Sequence, residues 1–249
     1  MAVWIMLKRI ALLRAPLGVL AKRKFFRPIT NGFIMRSARL LEISRRPSSY
    51  QAVSHARYDD GRLKEETCWE NFDHQFSAEN GPVLDLACGT GSDSFLLKKR
   101  GIPTVACDYS LTGLNLFHAY LPDIPVIFFD MTNTFPFFQE TFKMLLCDMG
   151  LHFFSEEKTF FILHEIQRIL IKGGTAFFRI NAIEDLDPVK IEREIETHFY
   201  LLKNDVNMRY FSREDINYFF SDWASCDAER TQMTRYGPPR ETWEIRCQK

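Results

Sequence analysis

Four aspartates, each closing a short apolar run, have the spacing to do chemistry. Asp85 follows Val83-Leu84, Asp108 follows Val105-Ala106-Cys107, Asp130 follows Val126 to Phe129, and Asp148 follows Met144 to Cys147. Short apolar runs bounded by turn residues read as buried strands. In a parallel sheet, ligands bind beyond the carboxyl ends of the strands. The turn after the first run contains Gly89 and Gly91, which let the chain turn tightly and let a ligand approach the backbone. Asp108 lies seventeen residues beyond Gly91. That is about where an acid accepts ribose hydroxyls in nucleotide-binding sheets. Such a carboxylate, waiting for its ligand, is expected to contribute little to the ligand-free fold.

Two cofactors suit this arrangement. A nicotinamide site calls for G-x-G-x-x-G, and here the third glycine's place is Ser94. Asp85, in front of the glycines, also disfavours a pyrophosphate and favours an ammonium group. S-adenosyl-L-methionine carries an ammonium and a sulfonium and no phosphate, so the aspartates favour it.

Other side chains invite two readings each. His152, just past the fourth run, has the position of a general base for an acceptor hydroxyl or amine, or packs between Leu151 and Phe153. Cys88, Cys107 and Cys147 fall at the ends of neighbouring strands. As a thiol trio they suggest soft-metalloid chemistry; as small, weakly polar residues they fill tight space beneath a cofactor. Tyr109 is placed to pack along an adenine or to cover the sheet edge. Trp69 either closes over the methionine end of the cofactor or is core.

The elements that position these residues alternate between strand and helix. Strands are expected at Pro82 to Ala87, Thr104 to Asp108, Val126 to Phe129, Met144 to Cys147 and Thr175 to Ile180. Helices are expected from Ser92 to Arg100, after the capping Ser110, and from Ser155 to Lys172, the last stopped by Gly173-Gly174. Such alternation implies βαβ units and a doubly wound α/β sheet. Residues 183–210 show no regular period. The stretch from Arg235 to Arg246 reads as a turn and a strand.

Composition narrows the function classes. The chain has 249 residues, 46% of them hydrophobic, and a formal net charge of zero. Residues 1–46 hold eleven Lys/Arg and one acid, which leaves residues 47–249 near −10. An acidic body argues against a nucleic-acid groove. Residues 1–46 read as a basic arm, a transit peptide or a start placed too early, and residues 47–249 as the functional domain. No apolar run is long enough to span a membrane. The six cysteines show no metal-type spacing and fit reduced thiols, so a cytoplasmic location is expected, with a mitochondrial one as the alternative. Oligomeric state leaves no signal in the sequence.

Taken together, the motifs resemble those of class I S-adenosylmethionine-dependent methyltransferases. Val83-Leu84-Asp85-Leu86-Ala87-Cys88-Gly89-Thr90-Gly91 looks like the family's first motif, Asp108-Tyr109-Ser110 its ribose-binding turn, and Asp130-Met131 its adenine-binding one. Phe142 to Phe154 resembles the fourth strand and the loop beneath the methyl donor, and Leu170 to Gly174 the turn before strand five. The likeness runs from about Trp69 to the C-terminus and is closest to small bacterial-type enzymes related to the tellurite-resistance methyltransferases, including the Arg235-Tyr236-Gly237 and Trp243-Glu244 ending. It implies a mostly parallel seven-stranded sheet and methyl transfer to a small-molecule acceptor. The cofactor-binding residues it implies are Asp85, Ala87, Gly89, Gly91, Asp108, Tyr109, Asp130, Met131 and Asp148, with His152 as the catalytic residue. A catalytically silent cofactor-binding subunit is the alternative. Ala87 departs from the glycine common in the family, which tells against a positive φ there.

Overall fold

The computed structural model describes Trp69 and residues 75–249. The expectations for residues 1–46, and the boundary at residue 47, lie outside the described residues.

Seven strands form one sheet in the order β3-β2-β1-β4-β5-β10-β9. These are β1 Val83–Leu86, β2 Thr104–Asp108, β3 Val126–Phe128, β4 Phe142–Asp148, β5 Leu170–Asn181, β9 Ser225–Met233 and β10 Arg240–Gln248. Neighbours from β3 to β5 pair in parallel, while β10 runs antiparallel to both β5 and β9. The strand order reverses beside β1, which places a topological switch point at the turn after β1. The expected mostly parallel seven-stranded sheet is what the chain forms.

Helices cover both faces. α1 (Ser92–Lys99) and α2 (Leu111–Tyr120) lie on one side, α3 (Glu156–Ile169) and α4 (Arg213–Phe219) on the other. Strand periodicity sorts the side chains. Leu84, Leu86, Val105, Cys107, Leu145, Cys147, Phe178 and Ile180 join Ile162, Leu163, Ile166 and Ile169 of α3 in the main core. The alternate residues Val83, Met144, Leu146 and Phe177 meet Trp69, Phe76 and Leu97. Serines fix the helix starts: Ser110 accepts the Gly113 N–H at 3.1 Å, and Ser212 forms a capping box with Asp215.

Four expectations need correction. The third helix stops at Ile169, not Lys172, because Leu170 is already extended (φ −75°, ψ 143°) and enters β5. Residues 183–210 are not shapeless: β6 (Ile191–Glu196), β7 (Phe199–Leu202) and β8 (Asn207–Arg209) make a small antiparallel sheet. Its charged β6 hides the pattern, since that strand buries almost nothing. Cys226 and Cys247 are not separate thiols; they face each other directly in the β9–β10 register and are joined as a disulfide. Ala87 does adopt a positive φ, 63°.

Candidate functional site

The site is assembled at the carboxyl edge of β1, β2 and β4, with contributions from β5 and the β9–β10 loop. Alternation along β1 turns Asp85 to the same face as Val83, toward α1, where the Ser94 hydroxyl donates to its Oδ2 at 2.5 Å. The serine in the third glycine's place is thus a partner of the acid. Asp85 is almost completely buried. Burial, with Asp93 and Asp148 nearby, pushes its carboxyl up to about 8, against the Ser94 hydrogen bond and Arg235. Near neutral pH it holds a proton that an incoming cation would expel.

Beside Asp85 lies a buried ion network. Arg179 of β5 grips Asp148 with two hydrogen bonds, Nε to Oδ1 at 2.8 Å and Nη2 to Oδ2 at 2.7 Å. Arg235, from the loop between β9 and β10, reaches Asp148 Oδ2 and Asp93 Oδ1 with Nη1, both at 3.0 Å. Glu244 of β10 is 3.9 Å from Arg179. The Trp69 indole donates to Asp93 at 3.3 Å and its ring lies 5.3 Å from the Arg179 guanidinium. Tyr236 donates to Asp148 at 3.3 Å. Four acids (Asp85, Asp93, Asp148, Glu244) therefore surround two arginines, and such a surplus suits a cationic ligand. An ammonium and a sulfonium fit this donor set, with Asp85 as the acid whose proton is displaced.

Asp108 at the end of β2 is not idle. Its Oδ2 accepts the Gly89 N–H at 2.8 Å and its Oδ1 the Ser110 N–H at 2.6 Å, so it ties the turn after β1 to the start of α2. Burial raises its carboxyl despite these bonds. The expectation of a carboxylate without a structural role gives way, although each oxygen keeps a second lone pair for a ligand hydroxyl. Tyr109 stacks on Phe128, centroids 5.9 Å apart, at the β2–β3 end of the sheet. Asp130 falls two residues past β3 and accepts both the N–H and the hydroxyl of Thr132 on Oδ1, each at 2.8 Å.

Two glycines make the turns fit. Gly91 has φ 97°, and a Cβ there would lie 2.5 Å from Phe117 of α2. That position needs glycine for conformation and for helix packing. A Cβ on Gly150 would lie 2.8 Å from the Ala87 methyl and 3.9 Å from Met131, so the turns after β1, β3 and β4 converge at this point. Both Ala87 and Met149 (φ 51°) are left-handed there; strained backbone of this kind concentrates at functional sites.

His152 sits on the short turn Leu151–Phe153, fully buried, with its ring 4.2 Å from Phe153. The structure thus puts it just beyond Asp148, enclosed by protein. Burial and the nearby Asp85 push the Cys88 and Cys107 thiols up, and burial does the same to Cys147, so all three stay protonated. This favours space-filling over thiolate chemistry.

Arg179 and Asp93 were missed in the sequence, and Arg235, Tyr236 and Glu244 entered only through the resemblance of the C-terminal ending. Arg179 and Glu244 share one signal, a charge inside an apolar run, as in Phe177-Phe178-Arg179-Ile180 and Trp243-Glu244-Ile245, while Asp93 has none.

Residues 83–174 match the protein family described as methyltransferase domain. A demethylmenaquinone methyltransferase of Paenarthrobacter aurescens is 38% identical over 92 residues, which is 37% of this chain and 35% of that protein. The chain thus matches only about a third of that relative's length. Among solved structures, an S-adenosylmethionine-dependent methyltransferase from Methanosarcina mazei superposes with a TM-score of 0.62 at 14% identity, over 72% of this chain and 97% of the other. The 1,6-didemethyltoxoflavin-N1-methyltransferase of Burkholderia thailandensis, solved with its substrate and S-adenosylhomocysteine, gives 0.58 at 14% identity, over 90% and 93%. These likenesses concern the fold.

Proposed function

We propose that the chain, whose residues 83–174 match the methyltransferase domain family, transfers a methyl group from S-adenosyl-L-methionine to a small-molecule acceptor. The observation that carries this reading is the buried acid surplus at the switch point, with Asp85 holding an expellable proton. When bound, the cofactor supplies an activated methyl on a sulfonium whose departure leaves a neutral thioether. The protein's own part is binding and positioning. Asp85 takes the ammonium end, and Arg179 and Arg235 hold Asp148 and Asp93 in fixed orientation beside it. Asp108 accepts ribose hydroxyls with its remaining lone pairs, while Tyr109, Asp130 and Met131 border the adenine. Gly89, Gly91 and Ala87 shape the turn that lets the backbone approach. Positioning supplies much of the rate for such a displacement, and this reading assigns to His152, buried on the turn just past Asp148, the acceptor's proton once the acceptor completes the site.

The small-molecule reading draws support from the Burkholderia structure, whose substrate is a small molecule. No helix among the described residues is long and apolar enough to cross a membrane. The test is transfer of labelled methyl from S-adenosyl-L-methionine into a small-molecule metabolite extract. Label in a small-molecule product, inhibited by S-adenosylhomocysteine, is the expected result; tight cofactor binding with no labelled product from any extract would contradict it.

A further inference from the structure

Asn181, the last residue of β5, is 1% exposed, and neither its Oδ1 nor its Nδ2 has a hydrogen-bond partner. Its backbone, by contrast, is tied into the sheet. Its carbonyl accepts the Phe211 N–H at 2.9 Å, and the next residue, Ala182, donates to the Glu241 carbonyl at 3.0 Å. The side chain therefore stands on a rigid element with both of its dipoles unused. Leaving a buried amide unsatisfied costs folding free energy, and such groups are tolerated where a ligand completes them.

Its place in the sheet says which ligand. Residues 177, 179 and 181 share a face of β5, so Asn181 is one step above Arg179, the residue that grips Asp148. That step lies beyond the carboxyl edge of β4, on the side of the ion network. Its cross-strand neighbour is Thr242, whose hydroxyl is engaged with Thr231 at 3.1 Å. The residue directly across from Asn181 is thus neutral, and Arg179 one step below is held by Asp148. A carboxamide presents a donor and an acceptor side by side in one plane. Its complement is a neutral planar group with an N–H beside a C=O.

Resting on the methyltransferase reading, we propose that Asn181 is an acceptor-recognition residue that selects a neutral lactam- or imide-type edge. Nothing in the sequence pattern marks it, because an asparagine after an apolar strand also suits a turn.

The test uses the full chain saturated with S-adenosylhomocysteine and 2-pyridone as a minimal lactam probe. The Asn181 side-chain amide resonance should shift on titration. N-methyl-2-pyridone, which keeps the carbonyl and loses the N–H, should bind about tenfold more weakly or worse, the scale of one lost hydrogen bond. Asn181→Leu should raise the melting midpoint of the ligand-free protein, since it removes an unsatisfied amide at similar volume. It should also weaken 2-pyridone binding about tenfold while leaving S-adenosylhomocysteine affinity within twofold. Should that variant fold poorly, Asn181→Ser must show the same loss of 2-pyridone binding. A lowered midpoint for a folded Asn181→Leu, undiminished 2-pyridone binding, or an unmoved Asn181 resonance would overturn the assignment. Failure of the wild type to bind S-adenosylhomocysteine would instead overturn the methyltransferase reading.

Discussion

The two faces of the same parallel strands have opposite chemistry. Toward α3 and α4, the residues of β1, β4 and β5 are Leu84, Leu86, Leu145, Cys147, Phe178 and Ile180, all essentially without exposure. Toward α1 and Trp69, the first residues are equally apolar, but the row nearest the carboxyl edge is Asp85, Asp148 and Arg179, with Glu244 beside them on β10. A two-residue period thus divides the strands: one face is apolar throughout, and the edge of the other gathers the charge we assign to cofactor binding. Substitutions on the first face should act on stability, and those on the second mainly on binding.

The largest expected effect is on the apolar face. Phe178 packs against Phe220 and Trp223, and Phe178→Ala should cost about 3–5 kcal/mol of stability. Chemical denaturation would read it; the fraction still folded should bind S-adenosyl-L-methionine as the wild type does. Asp108→Ala should do both kinds of damage. It removes two hydrogen bonds to a charged acceptor, each worth about 1.5–3 kcal/mol, and should weaken S-adenosyl-L-methionine about tenfold or more. Calorimetry and a melting curve on one preparation would separate the two losses. If only one changes, Asp108 belongs to one face's logic and not to both.

The third effect depends on pH. Asp85 rises from 3.8 in the unfolded chain to about 8 in the folded one. Between these values the folded state holds a proton that the unfolded state has released, so this group's contribution is full below about pH 4 and is lost as pH climbs to about 8. Asp85→Asn should flatten the fall in melting midpoint over that window, a slope set on the charged face alone. The smallest effect concerns Ala87. Glycine there relieves about 1–2 kcal/mol of left-handed strain, and gives back about 0.5–1 kcal/mol in chain entropy. Ala87→Gly should therefore leave the midpoint level or raise it by up to a few degrees.

The comparison of faces also explains what the sequence could reveal. The strands from Val83 to Ile180 were legible because each buries a short continuous run, and Asp108 and Asp148 end their strands as the pattern implied. The turn after β1 was legible from its glycines. The ion network was not, because Arg235 reaches Asp148 across 87 residues and Asp93 across 142, distances at which no local pattern survives. Ser94 looked like a missing glycine and is the donor to Asp85. Ala87 looked like evidence against a left-handed turn, yet it adopts that conformation where the turns after β1, β3 and β4 meet around Gly150. The pairing of Cys226 with Cys247 required the β9–β10 register, which spacing alone does not supply.

Whether Asp85 sits in the cofactor site is read by calorimetric titration of S-adenosyl-L-methionine at pH 7 into the wild type and into Asp85→Asn, each in two buffers of different ionisation enthalpy. If the buried acid edge is the cofactor site, the wild type binds with release of a proton to the buffer, and Asp85→Asn binds at least about tenfold more weakly with that release abolished. Equal affinity and equal proton release in the two proteins, or no binding by the wild type, would contradict it.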